Sequence, residues 1–161
     1  EIMPSLVGSE MCIRDSFPYT PATNLLYGLR EALSMLLDEG LENVFERHRR
    51  LAEATRCAVA TWQLELLCLD SAARSHSLTA VQLPEGVDAD AFRATVLARY
   101  NMSLGNGLGR LAGRVFRIGH LGDFNELMLI GTLGGVEMGL AASGITHQRG
   151  GVTAAMDYLS G

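Results

Sequence analysis

Six glycines crowd the stretch from Leu104 to Gly122, at positions 105, 107, 109, 113, 119 and 122, and they bracket one short β-prone run: Val115, Phe116, Arg117 and Ile118. Each glycine costs a helix roughly 1 kcal/mol relative to alanine, so the stretch excludes a long helix and predicts tight loops around a strand. A strand needs partners for its backbone donors and acceptors. The rest of the chain must therefore supply a sheet. Arg117 is the one charge in this run, and a cation among apolar neighbours is costly unless an anion meets it. The predicted anion is the carboxylate of a small molecule, with an internal salt bridge to Asp123 or Glu126 as the structural alternative.

The remaining pattern says what surrounds that strand. Leucines at 25, 26, 29, 33, 36 and 37 fall at helical spacing, and Gly40 supplies a stop, which predicts a helix over residues 23–38. A second helix follows over residues 41–62, with Val44, Phe45, His48, Leu51, Ala52, Val59 and Trp62 as its apolar stripe. Its other side carries Glu46–Arg50 and Arg49–Glu53 at helix-neighbour spacing. Short apolar runs at 64–68 and 78–83 predict strands, and Asp88 is placed to cap a helix over 89–99 with Phe92, Val96 and Leu97 inward. A strand at 101–104, the glycine loop and the strand at 114–118 come next. A helix to about residue 142, started by Asp123 or Asn125, and a last short helix at 152–159 complete the order. This predicts a small α+β unit, helices packed on one face of a mostly antiparallel sheet, preceded by a long helix.

Composition excludes several function classes. All 13 basic residues are arginine, so no amine side chain can form a Schiff base here. A net charge of −5 argues against nucleic-acid binding. The longest apolar run, 127–136, is broken by Glu137 and is too short for a membrane span. Cys12, Cys57 and Cys68 have no CxxC spacing and read as reduced thiols, which implies a cytoplasmic protein. The glycine run loosely matches a dinucleotide fingerprint over 107–112, but a strand follows it where that fingerprint requires a helix. His120 is placed for a supporting or core role, and His48 for the core. His76 and His147 sit in polar loops without a metal-ligand spacing. Residues 1–16 (EIMPSLVGSEMCIRDS) have no helical or strand period and resemble translated adapter sequence, so they are read as a non-native leader.

Several segments, taken in order, carry a resemblance: FPYTP at 17–21, LYGLREAL at 26–33, GLEN at 40–43, MSLG at 102–105 and GRVFRIGHLG at 113–122. They resemble the C-terminal part of serine–glyoxylate aminotransferases, members of the class V, fold-type I pyridoxal-phosphate enzymes. The resemblance implies transfer of an amino group from L-serine or L-alanine to glyoxylate, with pyridoxal phosphate as cofactor and a homodimer as the working form. It implies that Arg117 grips the carboxylate of the small amino acid or 2-oxo acid. It implies that Thr20 contacts the cofactor phosphate of the neighbouring subunit. Phe17 stands where alanine–glyoxylate relatives carry a tyrosine, and Tyr19 is the hydroxyl available in its place. The family's Schiff-base lysine belongs to a large domain preceding this region, so the segment alone is expected to be inactive. Residues 17–40 then form the helix between domains and 41–161 the small domain. A peroxisomal location replaces the cytoplasmic one if the source is a eukaryote. The alternative is a free-standing α+β module that binds a small carboxylate through Arg117.

Overall fold

The computed structural model describes residues 20–161, so the proposed leader at 1–16 and Tyr19 lie outside the described residues. The described residues belong to two compact units that divide after Leu41. In the first, α1 (Thr23–Glu39) ends where Gly40 turns to φ 83° and its N–H donates to the Leu36 carbonyl. No residue of α1 is buried.

The second unit holds the sheet. Its helices are α2 (Leu41–Thr61, whose first residue closes the first unit), α3 (Ala89–Tyr100), α4 (Glu126–Ala142) and α5 (Gly151–Ser160). Its strands are β1 (Glu65–Leu66), β2 (Leu78–Gln82), β3 (Gly105–Asn106) and β4 (Val115–Gly119). The strands pair in the order β1-β2-β4-β3, every pair antiparallel. The architecture is the expected α+β layer.

Local chemistry sets the helix ends. The Asp88 carboxylate accepts from the N–H groups of Asp90 and Ala91 at the start of α3, and Asn101 ends that helix in the left-handed region. Of the two candidate caps for α4, Asn125 does the work, its side chain accepting from Met128 N–H at 2.9 Å. Because Asn101 turns the chain out of α3 with φ 51°, the strand expected at 101–104 forms later, at Gly105–Asn106.

The core lies between the sheet and its helices. Phe116 and Ile118 of β4 and Val81 of β2 meet Leu51 and Ala58 of α2, Trp62 just beyond its end, Phe92 and Val96 of α3, and Leu129, Leu133 and Leu140 of α4. Phe92 and Phe116 pack tilted, with ring centroids 4.9 Å apart. Two expected core positions are not there. Phe45 and Leu97 are exposed, because the buried arc of α2 centres on Leu51, Ala54, Ala58 and Val59, and that of α3 on Phe92 and Val96. The surface pairs on α2 also differ from those expected. Arg49 pairs back to Glu46, Arg50 reaches Glu126 on α4, and Glu53 pairs with the buried Arg56.

Candidate functional site

Side chains alternate along β4. Phe116 and Ile118 enter the core, so Arg117 points to the opposite face of the sheet. Its register partners on both sides are small: Ala80 on β2 and Gly105 on β3. The side chain is half-buried, and its Nε–H is buried without a hydrogen-bond partner. Among the described residues no carboxylate pairs with it. Glu126 is taken by Arg50 at 2.9 Å, so the internal salt bridge offered by the sequence is not formed with that residue. The guanidinium is a planar fork of charge-assisted donors, a geometry that suits bidentate capture of a carboxylate.

The segment after Arg117 is tied down by histidines. His120 is fully buried, its Nε2 2.9 Å from the Thr79 hydroxyl and its Nδ1 3.1 Å from the His76 carbonyl. Only Nδ1 can donate to that carbonyl, so Nε2 accepts from Thr79. Burial lowers the His120 pKa to about 4. A neutral ring with both nitrogens engaged anchors the end of β4 and is not placed to move a proton. His48 does similar work from α2. Its Nδ1–H donates to the Val44 carbonyl at 2.7 Å and its Nε2 accepts the Gly122 N–H at 3.0 Å. Arg47 holds the same loop by donating to the carbonyls of Gly122 and Phe124. Neither loop contact was visible in the sequence, where Arg47 and His48 look like two more residues of an amphipathic helix.

Thr20 is exposed, just ahead of Ala22 at the start of α1, and belongs to the other unit from Arg117. A second pair of arginines, Arg56 and Arg74, lines a cavity of about 30 Å³. Their donors are spent on Glu53 and on the carbonyls of Ser75, Cys68 and Leu69, so that cavity is a poorer anion site than Arg117. Among the described residues no cluster of His, Cys, Asp and Glu is arranged to hold a metal ion. No described helix is long and apolar enough to cross a membrane.

Serine–glyoxylate aminotransferase of Methylorubrum extorquens is 53% identical to this chain over 144 residues, spanning 89% of the chain and 36% of the relative. Among solved structures, ureidoglycine–glyoxylate aminotransferase from Bacillus subtilis superposes with a TM-score of 0.83 at 32% identity, covering 89% of this chain and 37% of that one. Pyridoxamine–pyruvate aminotransferase from Mesorhizobium loti gives 0.84 at 33% identity, covering 91% and 38%. Over about nine tenths of its length the chain is similar to these aminotransferases. It spans about a third of the length of the curated relatives it matches. No family model matches it. Glycines 105, 107 and 109, which could have fitted a nucleotide loop, instead lie on the approach to the arginine strand.

Proposed function

We propose that the aminotransferase containing this segment moves an amino group from L-serine or L-alanine to glyoxylate, and that Arg117 receives the carboxylate of each substrate in turn. The observation that carries this is the guanidinium of Arg117, held between two small strand neighbours with no carboxylate paired to it among the described residues. The names of the relatives lend support. Serine, ureidoglycine and pyridoxamine differ as amino donors, whereas glyoxylate and pyruvate are both small 2-oxo acids, so what this segment serves in common is a carboxylate beside a reacting carbon.

Aminotransferases of this class work with pyridoxal phosphate, which when bound supplies the electron sink for loss of the substrate Cα proton. With no lysine in its 161 residues, the segment offers no amine side chain to carry that group, and its proposed contribution to holding the phosphate is the hydroxyls of Thr20 and Tyr19. By itself the segment is therefore proposed to be inactive. Its own contribution is binding and orientation: Arg117 fixes the carboxylate by two parallel hydrogen bonds, which sets the angle of the bonds at the neighbouring carbon. The whole enzyme is proposed to be a cytoplasmic homodimer in which Thr20 meets the phosphate bound by the neighbouring subunit.

The test is Arg117→Ala in the complete enzyme. Losing a bidentate charged contact costs about 2–4 kcal/mol in kcat/KM, with the rise in KM for serine and for glyoxylate carrying much of it. Unchanged KM values for both substrates would refute the role.

A further inference from the structure

Gly105 stands opposite Arg117 in the β3–β4 register. Its backbone does not demand glycine, because it lies in a strand and is not among the residues with positive φ. What it does have is a neighbour. A β-carbon at this position would come within 3.0 Å of Arg117 Cβ and 3.1 Å of Arg117 Nε. Those are closer than such atoms ordinarily approach, and the remaining neighbour, the Arg117 carbonyl, is at an ordinary 3.5 Å. Gly107 makes the contrast. A β-carbon there would sit 2.0 Å from the Leu111 carbonyl oxygen, so that glycine is demanded by the fold of the loop. At Gly105 the space is occupied by the arginine side chain.

The same close approach accounts for the orphaned donor. Arg117 Nε is buried and unpartnered, 3.1 Å from where a β-carbon of residue 105 would stand. A ligand cannot reach it there. The two Nη groups make no hydrogen bond to any described residue and do not share that burial. On the opposite flank the register partner is Ala80, the smallest side chain with a β-carbon.

We propose that Gly105 is the positioning residue for Arg117: its missing side chain lets the arginine lie across β3 with Nε shut against the strand, so that a substrate carboxylate is taken end-on by the two Nη groups. This rests on the reading of Arg117 as the carboxylate clamp. A side chain at position 105 would lift the arginine and turn the fork, misaligning two hydrogen bonds at once.

The experiment compares Gly105→Ala, Arg117→Ala and the double variant in the complete enzyme, with glycolate as a carboxylate probe that carries no amine or keto group. Gly105→Ala is expected to raise KM for serine and the inhibition constant for glycolate together, about tenfold, with kcat within about threefold of the parent and an unchanged melting temperature. The double variant is expected to bind no worse than Arg117→Ala alone, because both changes remove one interaction. If Arg117→Ala weakens binding while Gly105→Ala leaves both constants unchanged, the positioning role is wrong and the clamp stands. If Arg117→Ala itself leaves both unchanged, the clamp reading fails. Should Gly105→Ala not fold, the parent enzyme still decides the matter. The Nε–H resonance of Arg117, assigned by its disappearance in Arg117→Lys, must exchange with water more slowly than those of exposed arginines. Exchange as fast as theirs overturns the proposal.

Discussion

His120 is three residues from Arg117 and chemically the more versatile side chain, yet its surroundings remove it from the chemistry. Burial among apolar groups penalises the imidazolium, and its pKa falls to about 4. The consequence is a stability effect with a definite sign. In the unfolded chain the same ring titrates near 6.5. Above that pH both states are neutral there and the full stability is present. As the pH falls from about 6.5 toward 4, the unfolded state takes up a proton that the folded state refuses, so stability declines, by roughly 3 kcal/mol in all. Chemical denaturation at a series of pH values should show this decline, and His120→Gln should remove that part of the slope. An identical slope in the variant would place the titration elsewhere. Arg117, by contrast, was legible from the outset, because a lone guanidinium in a β-prone apolar run advertises its own cost. What the sequence could not disclose was that the cost is left open, since Glu126, an available partner in sequence, is drawn away by Arg50 from another helix.

At the scale of elements, caps and periodicity located the helices closely, because those signals are local. The expected start of the second helix and end of the first agree with α2 (Leu41–Thr61) and with Gly40 at the close of α1. Long-range packing was hidden. Glu137 looked like the residue that interrupts an apolar run, but it joins three elements. Its carboxylate accepts from Trp62 Nε1, just past the end of α2, at 2.8 Å and from the N–H groups of Gly150 and Val152 at the start of α5. Gly151 exists where a β-carbon would strike the Trp62 ring, 2.3 Å from Nε1. Burial works against the Glu137 charge, but these three donors outweigh it and hold the pKa below its ordinary value. Glu137→Ala strands a buried indole N–H and two helix-start donors, and is expected to cost about 2–4 kcal/mol. Glu137→Gln keeps an acceptor and should cost less. Because Trp62 is the single tryptophan of the chain, its fluorescence reports the event directly, shifting to the red at a lower denaturant midpoint. The sign with pH follows: this stabilisation is present above the unfolded carboxylate pKa and is lost as pH falls through the lowered folded value, below the window in which His120 acts. An unchanged midpoint in Glu137→Ala would show that the α5 junction draws its stability from packing alone.

For the molecule as a whole, the first unit poses a different problem from the second. The sheet unit buries a core of its own, whereas α1 has no buried residue and presents Leu25, Leu29, Leu33 and Leu37, at four-residue spacing along one side, with exposures of 75%, 55%, 49% and 73%. A stripe of that kind makes a contiguous apolar patch, and each leucine withdrawn from water is worth on the order of 2 kcal/mol. Charge does not offset it: the charged residues within α1 are Arg30, Glu31, Asp38 and Glu39, and the chain carries a modest net charge of −5. A chain with this surface is expected to self-associate in solution through α1. Light scattering across a concentration series should give a mass that rises with concentration. Leu29→Glu with Leu33→Glu should return it to the mass of one chain without lowering the melting temperature, since neither residue is buried. Added salt should strengthen the association of the parent chain, as it does for apolar contacts, and screen the repulsion introduced in the variant. A sharp single-chain mass for the parent at every concentration would mean that the leucine stripe is covered in solution by the chain's own residues.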